Sequence, residues 1–108
     1  MVEHDARITY AVSVKRDHNN HVYPPNDRCK VSFDGENITV RYADDPQQPE
    51  SQWSVYKGKR HGRHYFLERQ RPGEGWSYLL LMEHNTLVGW WNESGEGEGL
   101  WSIQVLAK

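Results

Sequence analysis

Six histidines include two His-x-x-His pairs, His18/His21 and His61/His64, the spacing in this chain most suggestive of a metal site. Neutral imidazole is a good ligand for zinc, copper or nickel. On a helix, residues three apart share a face, whereas in a loop or at a strand start their side chains diverge. Both pairs fall in segments of the second kind. A four-ligand zinc site also draws on cysteine, and the chain has only Cys29. Solvated histidines are therefore expected, and no metal. The run Glu93-Ser94-Gly95-Glu96-Gly97-Glu98-Gly99 lacks the ligand spacing of a calcium loop and reads as a solvated turn. Cys29 alternates with polar neighbours in a strand, as a packed thiol does and an activated nucleophile does not. There is no Gly-x-Ser-x-Gly elbow, no Walker loop and no Gly-x-Gly-x-x-Gly after a strand. The balance points away from an enzyme, and no cofactor is expected.

Aromatic residues are the second source of chemistry. Five Trp, six Tyr and two Phe stand among 108 residues, and flat rings can stack on a sugar face or a small aromatic ligand. The candidate ligand-binding set is Trp53, Tyr65, Trp76, Tyr78, Trp91 and Trp101. Burial in the core competes with that role, because Trp is usually well buried. Adjacent Trp90 and Trp91 must point to opposite faces of a regular strand, so one of them lies outside the main core. Charge offers an alternative. Between Lys57 and Arg71 six cations face Glu68 alone, a local net of +5 in a chain of −2. With interleaved rings, Tyr56, Lys59, Arg60, Arg63 and Arg69 are a candidate nucleic-acid or phosphate surface. The acidic remainder of the chain makes a nucleic-acid partner the lesser expectation.

These residues need a scaffold, and period two supplies it. Ile8, Tyr10, Val12 and Val14 alternate with Thr9, Ala11 and Ser13. Cys29, Val31 and Phe33 alternate with Lys30, Ser32 and Asp34, as Ile38, Val40 and Tyr42 do with Asn37, Thr39 and Arg41. Asp34-Gly35 between the last two predicts a tight turn that sets Val31 against Ile38 and Cys29 against Val40. Further strands are predicted over residues 52–57, 63–69, 76–83, 86–92 and 100–106, separated by Gly, Pro or Asn. No helical stripe appears. Eight short sequential strands favour a single-domain all-β fold, an antiparallel up-and-down β-barrel that leaves no exposed edge. A two-sheet β-sandwich is the alternative. Leu, Ile, Val and Phe number only 21 of 108, so aromatic rings must supply part of the core. No apolar run is long enough to span a membrane as a helix, and the N-terminus lacks the pattern of a secretory signal. With one cysteine, a reducing, cytoplasmic setting is expected.

The hairpin over residues 76–92 is apolar on both faces. With His84-Asn85 as its two-residue turn, Leu79, Leu81, Val88 and Trp90 share one face, and Tyr78, Leu80, Met82, Leu87 and Trp91 the other. A small barrel has one interior, so the second face needs a cover, from the N-terminal segment, a long loop or a partner subunit. Leu79, Leu81, Val88 and Trp90 are the expected interface of a homodimer.

Leu87-Val88-Gly89-Trp90-Trp91-Asn92 and the following Gly99-Leu100-Trp101-Ser102-Ile103 resemble the closing hairpins of calycin-type barrels, the lipocalins and avidins. The resemblance covers about 20 residues and rests on the placement of Gly and Trp. The N-terminal Gly-x-Trp of lipocalins is absent, and no ligand-binding position carries over. The resemblance implies an up-and-down barrel with a cavity or mouth for a small apolar ligand.

Overall fold

A computed structural model describes residues 2–14, 21–71, 73–94 and 97–106. It contains nine strands: β1 (Val2–Ser13), β2 (His21–Tyr23), β3 (Asn26–Asp34), β4 (Asn37–Tyr42), β5 (Ser54–His61), β6 (His64–Arg71), β7 (Gly75–Met82), β8 (Thr86–Glu93) and β9 (Gly97–Val105). Every pairing is antiparallel. From β3 to β9 the strands are neighbours in chain order, and β1 pairs with both β3 and β9. Eight strands thus close into a barrel, as alternating hairpin-linked strands require once no edge is left open. The sandwich alternative falls away. β2 is an addition: it pairs with Ala11–Ser13 of β1, beyond the point where β3 leaves that strand at Ile8.

The inward residues of each strand form one core. They include Ala6, Ile8, Cys29, Val31, Ile38, Val40, Tyr56, Tyr65, Leu67, Leu79, Leu87, Trp91, Trp101 and Ile103, all nearly inaccessible. Four of these are aromatic, which is how a chain short of aliphatics fills a barrel.

Three registers differ from the sequence expectation, and each has a local cause. The β3–β4 turn is centred on Gly35-Glu36, with Gly35 at φ 61°. Val31 therefore faces Val40 and Cys29 faces Tyr42, two residues from the expected pairs but on the same face. In β1 the pairing with β9 slips between Ile8 and Tyr10. This bulge at Thr9 breaks the predicted alternation: Ile8 points inward, but beyond it Ala11 and Ser13 do, leaving Tyr10 outside.

The third change matters most. β7 and β8 are joined by three residues, Glu83, His84 and Asn85, with His84 and Asn85 at φ 60° and 58°. The extra residue changes parity, so Leu79 lies opposite Gly89 and Leu81 opposite Leu87. Leu79 and Leu81 belong to the interior, not to the expected interface, and Leu79 is fully buried. The outer face of this hairpin is instead Trp76, Tyr78, Leu80, Met82, Val88 and Trp90.

Gly89 and Gly58 stand where the neighbouring strand leaves no room for a side chain. A β-carbon at Gly89 would lie 1.7 Å from the Tyr78 carbonyl oxygen, and one at Gly58 1.8 Å from that of Phe66. The backbone cannot yield there without breaking a ladder bond. Gly89→Ala is expected to cost more than about 2 kcal/mol in urea denaturation; an unchanged midpoint would show that the wall tolerates a side chain at this position.

Candidate functional site

One end of the barrel receives the C-terminal ends of β4, β6 and β8 and the N-terminal ends of β5, β7 and β9. Continuing the inward parity of these strands brings Tyr42, Tyr56, Arg69 and Glu93 to that end. They form a polar cluster over the apolar core. The Tyr56 hydroxyl donates to Glu93 Oε2 at 2.5 Å and the Tyr42 hydroxyl to the same oxygen at 3.1 Å. Arg69 Nη1 stands 3.6 Å from Glu93 Oε1, with both side chains largely out of water. Arg69 Nη2 donates to Ser54 Oγ at 3.3 Å, and that hydroxyl donates to Asp44 Oδ2 at 2.5 Å. A buried carboxylate must be paired and hydrogen-bonded to be tolerated, and here two phenols and a guanidinium do both.

Burial pushes both phenols well above the ordinary tyrosine range. For Tyr42 the neighbouring Tyr56 and Glu93 add to it, and for Tyr56 the hydrogen bond to Glu93 and its charge. Both rings therefore stay protonated and act as fixed donors.

Aromatic walls enclose the space beside this cluster. Trp101 meets Tyr42 edge-on at 5.6 Å between ring centroids and Tyr56 at 5.5 Å. Its Nε1 donates to Ser77 Oγ at 3.0 Å, and Ser77 donates to the Trp90 carbonyl at 2.8 Å. The ring is thus held from both edges. A cavity of about 850 Å³ opens here, walled by Ile8, Ala11, Tyr42, Trp91 and Trp101, with Glu93 at its polar side. Tyr23 at the end of β2 and Pro24 and Pro25 between β2 and β3 form its rim with Asp44 and Pro46. The rim is pinned where Asn26 Nδ2 donates to the Ala43 carbonyl at 2.8 Å. Arg28 donates to the Pro46 carbonyl.

The structure divides the six rings proposed for ligand binding. Trp91 and Trp101 line the cavity. Tyr65 points into the opposite end, near Phe33. Trp53 lies on the outer wall, where the guanidinium carbons of Arg28 and Arg41 sit 5.3 and 5.7 Å from its ring. Trp76 and Tyr78 are on the outside. The candidate nucleic-acid set is divided too: Tyr56 and Arg69 are inside at the mouth, while Lys59, Arg60 and Arg63 are exposed around the β5–β6 turn at the other end. His61 and His64 lie 6.1 Å apart between ring centroids, and His64 stacks on Tyr78 at 4.7 Å. His18 lies outside the described residues. Among the described residues no group of three or more His, Cys, Asp or Glu is placed to hold a metal. Burial pushes the Cys29 thiol up to about 12, as befits a packed thiol.

Sequence reasoning passed over Tyr42 and Glu93 as site residues. The signal was there for both: Tyr42 follows Ile38 and Val40 at period two, and Glu93 follows Leu87 and Trp91. No protein-family model, no curated protein and no solved structure matches this chain.

Two measurements probe the cluster. The folded-state values of Tyr42 and Tyr56 are raised, so their contribution to stability is complete below the unfolded value near pH 10. It is lost as the pH rises from there towards the folded values. In an ultraviolet titration, these two of the six tyrosines should ionise only as the protein unfolds; all six titrating together in folded protein would contradict this. Glu93→Gln removes the buried carboxylate that Tyr42, Tyr56 and Arg69 share and is expected to lower stability by about 3 kcal/mol in urea denaturation.

Proposed function

We propose that this chain is a small binding module that holds an apolar or aromatic small molecule in the mouth of its barrel. The observation that carries this reading is the cavity of about 850 Å³ beside Trp91, Trp101 and Tyr42. Its volume is of the size that encloses a drug-sized ligand, and its aromatic wall of Tyr42, Trp91 and Trp101 faces a polar side formed by Asn26, Asp27, Arg28, Asp44 and Glu93. Glu93 does not leave an unsatisfied charge for the ligand to neutralise, because Tyr42, Tyr56 and Arg69 already surround it. A neutral ligand with a flat or aliphatic body and at most a small polar end suits the site best. The calycin-like resemblance supports the same reading, since those barrels take ligands at an open end, and a closed eight-stranded antiparallel wall is compatible with it. The buried, unreactive Cys29 fits a reducing, cytoplasmic setting.

A neutral fluorescent probe, N-phenyl-1-naphthylamine, tests the proposal by titration into the protein. Saturable binding at one site is expected, with quenching of tryptophan emission. Ala11→Phe places a ring in the cavity and should weaken binding at least tenfold, while Leu80→Glu on the outer wall should leave it unchanged. Folded protein that binds no probe, or an Ala11→Phe variant that binds as well as the original, sinks the reading.

A further inference from the structure

The outer wall of the barrel carries a row of apolar side chains running across strands. Phe66 pairs with Tyr78, Tyr78 with Trp90, Trp90 with Leu100, Leu100 with Val12, and Val12 with Val22. A second row continues it through Leu80 and Val88, with Trp76 stacked on Phe66 at 6.3 Å between centroids. Phe66, Trp76, Tyr78, Leu80, Met82, Val88 and Leu100 are 37–50% exposed. We propose that this face of β6–β9 is the interface of a symmetric homodimer, covered by the same face of a second copy.

Area and charge both point to a second copy. Seven side chains that leave about two-fifths of roughly 200 Å² each in water expose about 600 Å² of apolar surface together. That is at the upper limit of the largest patch on an ordinary monomer, about 300–600 Å². With the polar residues at its border it approaches the roughly 800 Å² that each partner contributes to a stable interface. The border residues on β7–β9 are Thr86, Asn92, Ser102 and Gln104, and the charged outward positions, Glu68 on β6 and Glu98 on β9, stand at the edges, leaving the centre of the face around Tyr78, Leu80, Val88, Trp90 and Leu100 uncharged. A two-fold axis through the centre sets each patch against itself, so a charged centre would repel its copy and this uncharged one does not. Hydroxyl and amide groups at the border can pair with their own kind across the axis. The N-terminal segment, a conceivable cover, is instead the closing strand of the wall. The mouth cavity lies at the end of the barrel, so the dimer and the ligand site are separate.

Sedimentation velocity over a wide concentration range tests the interface, with near-ultraviolet circular dichroism as the check on folding. The original chain is expected to sediment at twice the monomer mass at high concentration. Leu80→Glu and Tyr78→Lys should each weaken association at least a hundredfold while keeping the dichroism of the folded barrel. Arg60→Glu, remote from the face, should leave the dimer intact. A chain that stays monomeric at the highest soluble concentration overturns the proposal. So does a dimer unaffected by either outer-wall substitution, or a monomer that instead co-sediments with neutral phospholipid vesicles.

Discussion

The ladder between β1 and β9 is the interaction on which the rest of this structure depends. Until the first strand meets the last, the chain is an open antiparallel sheet with two equivalent faces and two free edges. Closure makes one face an interior, and only then does a period-two sequence mean inside and outside. β1 carries this role because it is the longest strand and is paired along both sides, to β9 on one and to β3 and then β2 on the other. The bulge at Thr9 is how one strand serves both ends of the barrel. Below it Ala6 and Ile8 fill the apolar floor; above it Ala11 and Ser13, both small, leave room at the mouth. A strand that kept its alternation would have turned Tyr10 and Val12 inward and closed the space in front of Trp101.

The same economy of small residues shapes the interior around the tryptophans. Trp101 lies opposite Gly89 on one side and Ala11 on the other, and Trp91 lies opposite Gly99. Each indole is thus flanked by a residue with little or no side chain, which is the large-against-small alternation that a narrow barrel requires. Towards the mouth of the barrel, apolar rings give way to phenols, a guanidinium and a carboxylate. The hydroxyls of Tyr42 and Tyr56 let the aromatic wall end in donors, so Glu93 can be buried beside Arg69 without an empty lone pair facing hydrocarbon. This polar layer fixes the rings' orientation as well as satisfying the charge.

The architecture was legible in the sequence because it follows from alternation, and alternation is a local property. Each of the strands β3 to β9 appears close to where period two and turn residues place it, although β5 runs from Ser54 through Gly58 to His61 and β9 begins at Gly97. Faces were less legible, because a single residue in a connection inverts them. Asp34-Gly35 and Gly35-Glu36 differ by one position in the turn centre and move both partners together, so Val31 and Cys29 kept their face. Glu83 joining His84 and Asn85 in the β7–β8 connection changed parity, and the whole hairpin reversed. Two consecutive left-handed residues, neither of them glycine, are what make that three-residue connection, and sequence offers little sign of them. The β2 segment was hidden for another reason: three residues with no apolar alternation become a strand only because β1 runs on past the end of β3. The mouth cluster was hidden because its members lie on four strands, and only barrel closure brings Tyr42 within reach of Glu93, 51 positions away.

The reversal of the β7–β8 hairpin also changes what the composition means. A chain with 21 Leu, Ile, Val and Phe residues already sits near the lower limit for a folded domain. Phe66, Leu80, Val88 and Leu100, together with Trp76 and Tyr78, contribute less than full burial because they face out. The interior is therefore built from an even smaller aliphatic set, and Tyr56, Tyr65, Trp91 and Trp101 are structural necessities before they are binding residues. Large apolar residues on the outer wall raise the free energy of the isolated chain in water, since each keeps apolar surface hydrated that folding alone does not remove. A fold that places them on adjacent strands in aligned rows, with no charge at the centre, concentrates that hydrated surface where one contact can remove it.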